Sequence, residues 1–303
     1  MLRAQQHYRK AGLPVLSPII VCLSVILAAP AVEGRSQHPR QQEDSAEMYL
    51  QRGNNRTRAG RWLEAIEDYQ QAIQLRPDLA PALGNLAHVY ARLGRYAEAV
   101  EPLKKALRLE PNSAVLSFNL GNVYLNLNRQ GEAIELLRQA INLKPDYAQA
   151  YNDLGNAYAD TGLYNDAIVS LRQAIRIRPD FALAYSNLGT LYYALNQFLE
   201  ASQCFEQAAR LSPTYAEAHY DLGIAYIRLD QYGAAINCLK HAISLDCNHA
   251  RAHYTLGLTY LTLKDRDASL KQYAILKGLR SALAAQLYSA LYQERLIKLS
   301  EKK

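Results

Sequence analysis

A repeat of 34 residues limits the folds that this chain can adopt. Prolines recur with that step at positions 77, 111, 145, 179 and 213, and Cys247 stands where the next proline would fall. A leucine–glycine pair recurs in register from Leu120-Gly121 to Leu256-Gly257, and a tyrosine follows each glycine by three positions. Two alanine series, beginning at Ala65 and Ala72, keep the same step. A period of this length predicts an array of small supersecondary units rather than one compact domain.

Within each unit the recurring residues predict two helices joined by a turn. Leucine, glycine and tyrosine at positions 7, 8 and 11 of a unit fall on one helical face, and the small residues allow a second helix to approach closely. The proline cannot continue the second helix, so the chain must turn there. Polar residues directly after the proline, from Asp78 to Thr214, are predicted to cap the next helix, and Thr214-x-x-Glu217 has the form of a capping box.

These columns of leucine, glycine, tyrosine, alanine and proline resemble the tetratricopeptide repeat. Residues 46–283 then hold seven units, and the resemblance implies an all-α fold: a right-handed superhelical solenoid of about seven helix-turn-helix units. Residues 284–303 are predicted to form a C-terminal capping helix and tail, with Leu287 and Leu291 in its apolar stripe. Arg52 and Arg56 replace leucine and tyrosine in the first unit, which predicts a solvated outer face. The turn of the seventh unit, at Lys264, reads as one residue short.

The N-terminal segment predicts export. Residues 1–10 are basic, an apolar stretch follows, and Ala29-Pro30-Ala31 offers small residues at a cleavage site, so residues 1–31 read as a secretory signal peptide. The alternative is an uncleaved anchor, because about 20 apolar residues suffice to span a bilayer. Both readings place the remainder in the periplasm or another extracytoplasmic space, the second with a tether to the inner membrane. Residues 32–45 are predicted to be a polar linker.

Composition and motifs argue against nucleic acid, cofactor and catalytic roles. Arg3, Arg9 and Lys10 carry half of the formal charge of +6, so the rest of the chain lacks the basic field that nucleic acid requires. No phosphate-binding loop, H-E-x-x-H or G-x-S-x-G motif occurs, so we predict no enzyme and no cofactor. The histidines and cysteine of the last units are interpreted as structural rather than as metal ligands, and free thiols are expected at two equivalent positions. These residues are His219, His241, Cys247, His249 and His253, and the thiols Cys204 and Cys238.

Candidate binding residues lie on the first helix of each unit, at positions expected to face the concave side of the solenoid. A ladder of carboxamides and carboxylates there can hydrogen-bond the N–H and C=O groups of an extended peptide, a use that the resemblance also implies. Tyrosines toward the C-terminus are predicted to anchor apolar side chains, unless the C-terminal helix folds back over them. The predicted groove residues are Asn85, Asn119, Asn122, Asp153, Asn156, Asn187, Tyr193, Tyr220, Asp221 and Tyr254.

The ladder has a simpler reading as the ordinary residues of such repeats on a solvated surface. A clamp for a terminal carboxylate is excluded, because position 5 of the units holds no cation and position 2 holds only Arg251. The sequence therefore predicts a scaffold that binds a partner polypeptide in its concave groove, within an envelope or secretion complex. The alternatives are an RNA-binding helical-repeat protein and a membrane-anchored assembly factor. The oligomeric state stays open.

Overall fold

The computed structural model describes residues 39–300, with side chains from residue 43 to residue 292. The predicted signal peptide and residues 32–38 of the predicted linker lie outside the described residues. The described part is built from helices in the order α1 (Pro39–Arg58), α2 (Trp62–Leu75), α3 (Ala80–Arg92), α4 (Tyr96–Leu109), α5 (Ala114–Asn126), α6 (Gln130–Leu143), α7 (Ala148–Asp160), α8 (Tyr164–Ile177), α9 (Ala182–Ala194), α10 (Phe198–Leu211), α11 (Ala216–Arg228), α12 (Tyr232–Leu245), α13 (Ala250–Thr262), α14 (Arg266–Gly278) and α15 (Leu283–Ser300). Because α1 begins at Pro39, residues 39–45 of the predicted linker are helical.

Consecutive helices pack as seven antiparallel hairpins, from α1 with α2 to α13 with α14, which confirms the predicted solenoid. Close approach of the two helices depends on the glycine of the first helix. A Cβ placed on Gly155 would lie 2.6 Å from Leu171 Cγ, and one on Gly189 would lie 2.7 Å from Phe205 Cε1. The alanine columns, represented by Ala167, are fully buried in the same seam. Small residues therefore set the spacing within a hairpin, and one large side chain fills it.

The turn inside each hairpin places one residue in the left-handed region. Glycine occupies it at Gly94 (φ 72°), whereas the seventh hairpin has Lys264 (φ 63°), which pays the steric cost of a side chain there. The predicted shortening of this turn is wrong, since α14 follows α13 with the same spacing as in the other hairpins. The irregularity instead lies inside α14, where buried Ser269 and Leu276 stand in the alanine columns.

The predicted helix caps are also wrong by one residue. The residue that precedes each first helix is Leu79, Ser113, Tyr147, Phe181, Tyr215 or His249, and of these only Ser113 and His249 accept a hydrogen bond from the helix. Thr214 accordingly forms no capping box. Glu217 pairs instead with Arg251 of the next repeat, at 2.5 Å. A large residue at the cap position packs instead on the preceding first helix, as Tyr147 does on Phe118.

The two ends of the solenoid are covered differently. At the first hairpin, Arg52 and Arg56 form ion pairs with Asp68, whose side chain is only 1% exposed, so the predicted solvated face includes a buried carboxylate. At the other end, Leu287 and Leu291 of α15 pack on the last hairpin and the Arg266 guanidinium donates to the Leu291 carbonyl oxygen at 2.9 Å. None of the helices within residues 39–300 combines the length and apolarity needed to cross a membrane.

Candidate functional site

The predicted ladder of polar side chains exists, and its members bond to one another across neighbouring repeats. Asn85 Nδ2 donates to Asn54 Oδ1 at 2.7 Å, and the same oxygen accepts from the Tyr69 hydroxyl at 2.9 Å. The pairing joins position 6 of one repeat to position 9 of the repeat before it. Part of the hydrogen-bonding capacity that was assigned to a ligand is therefore used to hold adjacent repeats together.

The same pairing recurs in the middle of the array. The Asp153 carboxylate accepts from Asn152 Nδ2 at 2.9 Å and from the Asn122 carboxamide, while Asn187 Nδ2 donates to Asn152 Oδ1 at 2.8 Å. Burial raises the pKa of Asp153, and the two donated hydrogen bonds oppose that rise. Asn156 lies half-buried one turn further along the same helix. The Asp153 carboxylate therefore accepts hydrogen bonds from within the protein.

Between the second and third repeats the ladder opens into a cavity of about 240 Å³. His88 and Arg92 line one side of it, and Asn119, Asn122 and Asn126 line the other. Burial and the neighbouring Arg92 lower the pKa of His88, so the imidazole is neutral at pH 7 and can both donate and accept a hydrogen bond. Within the described part of the chain, no side chain bonds the Asn119 carboxamide. This cavity therefore presents donors and acceptors to solvent on the concave face.

One of the three predicted tyrosine anchors is packed inside the protein, and a second is half-buried against the C-terminal helix. Tyr220 is only 7% exposed, and its ring lies 5.0 Å from the His249 ring, in a cluster with Leu239 and Leu256. Tyr254 packs against the C-terminal cluster that includes Leu287, as the alternative reading anticipated. The reason is that position 5 of a repeat faces the residue preceding the next repeat, as the Phe118 and Tyr147 rings do at 4.7 Å.

Tyr193 remains half-buried at the groove. Its ring lies 5.2 Å from that of Phe198, and the Arg228 guanidinium lies over both rings, 5.8 Å from the first and 4.1 Å from the second. The arginine makes cation–π contacts with both rings, so Tyr193 is not a free apolar anchor.

A charged cluster that sequence reasoning missed lies where the sixth and seventh repeats meet. Glu217 Oε1 accepts from Arg251 Nη2 at 2.5 Å, and Glu217 Oε2 lies 3.3 Å from Nε2 of buried His249. Burial raises the pKa of Glu217, but His249 and Arg251 outweigh it and hold that pKa below its ordinary value. Burial, together with the charge of Glu217, raises the pKa of Asp221 to about 7. The opposite charges at position 2 of successive repeats, Glu217 and Arg251, are the sequence feature that could have predicted this cluster.

The histidines and cysteines of the last repeats have structural contacts. The His219 and His241 rings stack edge to face at 4.3 Å, and His253 Nδ1 lies 2.7 Å from Gln272 Oε1. Residues with described side chains include no group of His, Cys, Asp or Glu arranged to hold a metal ion. Cys204, Cys238 and Cys247 are free thiols, and burial raises the pKa of Cys204 and of Cys238 to about 11. These two thiols therefore act as small apolar side chains.

Family models for the tetratricopeptide repeat match residues 44–146 and 155–264, which is most of the solenoid. The chain belongs to the tetratricopeptide-repeat family. No curated protein matches it. Membership in this family supports a role as a protein–protein interaction scaffold, and proteins of this kind are generally without enzymatic activity.

Several solved structures share the fold of this tetratricopeptide-repeat protein. MamA is 29% identical, with a TM-score of 0.52 over 57% of this chain and 95% of its own. The pilF protein of Pseudomonas aeruginosa is 22% identical, with a TM-score of 0.61 over 70% of this chain and 96% of its own. YrrB, described as a TPR protein with an unusual peptide-binding site, is 21% identical, with a TM-score of 0.50 over 62% and 96%.

Proposed function

We propose that this protein binds an extended segment of a partner polypeptide in its concave groove and thereby assembles a complex outside the cytoplasm. The observation that carries the proposal is the cavity between the second and third repeats. It places Asn119, Asn122 and neutral His88 around an opening of about 240 Å³. Carboxamides that both donate and accept suit the alternating N–H and C=O groups of an extended backbone.

The groove suits a polypeptide better than a nucleic acid. Its charged residues include Arg92 beside this cavity but also Glu217 and Asp221 further along. Acids at these positions repel phosphates, which disfavours a strand of RNA in that part of the groove. RNA binding accordingly remains only the alternative. Its test is salt-sensitive binding of a single-stranded RNA.

The test of the groove is selection of peptides from a phage-displayed library of random dodecapeptides on the purified solenoid. The tightest peptide is then measured by fluorescence anisotropy against Asn119→Leu, which places an apolar side chain in the cavity. We expect the affinity to fall at least about tenfold, because a backbone group loses its partner. Asn142→Leu is the matched control, since Asn142 is exposed on the second helix of the same hairpin. Equal affinity of the two variants would contradict groove binding.

Export is the second part of the proposal, and it rests on the N-terminal sequence alone. Fractionation of cells that express the tagged chain, followed by mass spectrometry of its N-terminus, tests it. A mature chain that starts after Ala31 supports cleavage, and an intact chain held in membranes resistant to alkaline carbonate supports the anchored assembly factor. Recovery of an intact chain in the cytoplasm would reject both. An envelope or secretion complex is then the setting in which to seek the partner.

A further inference from the structure

Asp221 and Asp153 occupy the same position of two repeats but have different surroundings. Both are carboxylates at position 6, and burial raises the pKa of both. Asp153 receives hydrogen bonds from Asn122 and Asn152. Among the residues whose side chains are described, none donates a hydrogen bond to Asp221. Of these two carboxylates, Asp221 is therefore the one that accepts no hydrogen bond from the described side chains.

The cause is the replacement of both donors, one in the fifth repeat and one in the sixth. Thr190 stands where Asn122 stands in the earlier pair, and its hydroxyl donates to the Ser186 carbonyl oxygen of its own helix at 3.0 Å. Tyr220 stands where Asn152 stands, and its buried hydroxyl interacts with Thr255 instead. Neither replacement reaches Asp221. Asp221 is half-buried, so its carboxylate is open to a ligand that carries a hydrogen-bond donor.

The charges around Asp221 indicate that the donor of the ligand is positively charged. The charge of Arg251 acts on Asp221, but the Arg251 guanidinium donates a hydrogen bond to Glu217 at 2.5 Å. Glu217 also lies within 3.3 Å of the imidazole of His249. Two carboxylates thus share one guanidinium and one imidazole, so the cluster lacks positive charge. A cationic group of a ligand would balance the negative charge of this cluster.

We propose that Asp221 accepts a hydrogen bond from a lysine or arginine side chain of the bound polypeptide, which makes it a specificity residue of the groove. The inference rests on the proposed function, because it concerns a ligand of the same surface. Ile224, one turn further along the same helix and only partly buried, offers apolar surface for the methylene stem of such a side chain. The partner segment would therefore carry a basic residue where it crosses the sixth repeat.

The experiment compares peptides and variants in a two-way design. A peptide selected on the wild-type solenoid is synthesised with its arginine (or an arginine in place of its lysine) and with citrulline, a neutral analogue of the same shape. We expect the arginine form to bind about tenfold more tightly to the wild type, as suits a charge-assisted hydrogen bond. Asp221→Asn should bring the ratio close to one, whereas Asp153→Asn should retain it. Circular dichroism establishes that each variant is folded.

A second variant tests the structural reason directly. Thr190→Asn gives Asp221 a hydrogen-bond donor like the one that Asn122 provides to Asp153, and it leaves the charge of Asp221 in place. We therefore expect the arginine preference to fall.

A pH series distinguishes a charged role of Asp221 from a packing role, because a packing role would not depend on pH. The groups that face Asp221 are Glu217, Tyr215, Tyr220, Arg251 and His249. The preference should weaken from pH 8 to pH 6 as Asp221 takes up its proton, and Asp221→Asn should remove that change.

The outcomes separate the two proposals. If the wild type enriches peptides without a basic residue, or if Asp221→Asn keeps the arginine preference, the inference is overturned and groove binding stands. If the wild type enriches no peptide at all, the proposed function fails and the inference fails with it. A preference for arginine that is lost in Asp221→Asn and kept in Asp153→Asn supports both.

Discussion

Replacing Gly155 by alanine tests the close approach of the two helices in the fourth hairpin. The added Cβ would lie 2.6 Å from Leu171 Cγ and 3.2 Å from the carbonyl oxygen of Ala167. Leu171 is only 1% exposed, so it cannot move aside without displacing its neighbours. Overpacking a filled core costs about 1–3 kcal/mol, and the better helix propensity of alanine returns about 1 kcal/mol. We expect a net loss of about 1 kcal/mol in the free energy of unfolding.

The matched control is the same substitution at Gly131, in the second helix of the third hairpin. A Cβ at Gly131 meets nothing within 4 Å, so alanine there should stabilise the protein by up to about 1 kcal/mol. Urea denaturation followed by far-UV circular dichroism measures both variants, and an unchanged slope with urea shows that the same unfolding reaction is compared. The difference between the two variants then isolates the packing penalty.

A double-mutant cycle assigns the penalty to its partner. Leu171→Ala alone should cost about 2–5 kcal/mol through the cavity it leaves. In that background, Gly155→Ala should become stabilising, because the new methyl group fills part of the cavity and gains helix propensity. Gly155→Ala as stable as Gly131→Ala, or a cycle without coupling, would refute the close contact between Gly155 and Leu171.

Three further changes follow from the same structure. Lys264→Gly should stabilise the protein by about 1 kcal/mol in urea denaturation, since Lys264 holds a left-handed backbone conformation (φ 63°), and a loss of stability would contradict this. Asp68→Asn should destabilise it by about 1–3 kcal/mol, because two arginines lose a buried carboxylate; stability equal to wild type would show that the ion pairs contribute nothing. Exposed Cys247 should react with a thiol reagent at pH 7.5. Cys204 and Cys238 should react only as the pH rises or the protein unfolds, because burial raises the pKa of each thiol to about 11. Equal reaction rates of the three thiols in the folded state would contradict this.

The hairpins could be predicted from the sequence because their determinants lie within one repeat. Gly155 and Leu171 meet inside a single unit, and a glycine meets a leucine or an aromatic ring in the same way in the first, third, fifth and sixth units. The caps could not be predicted in this way. A polar residue after a proline has a high propensity to cap, but here bulky residues such as Tyr147 take that position and contact the preceding repeat through Phe118. Packing between repeats overrides local propensity.

Position 5 shows the same limit at the candidate site. Helical periodicity places Tyr220 on the side of the helix away from its own hairpin, which predicts the concave face. The superhelix then brings the next repeat against that side, so Tyr220 is buried beside His249. Periodicity within one helix carries no information about the angle between repeats, and that angle decides whether such a side chain is exposed.

The number of units, their helical pairing and the row of polar residues along the first helices follow from the sequence alone. These depend on contacts between residues fewer than 34 positions apart, which each repeat encodes afresh. Which polar residues are hydrogen-bonded within the protein, and which are not, depends on how one repeat packs on the next. Asp153 and Asp221 are the same residue type at the same position, and the preceding repeat supplies Asn122 as a donor to the first and none to the second. The free energy of a half-buried carboxylate depends on that neighbour, because hydrogen bonds from the protein offset the loss of water around it.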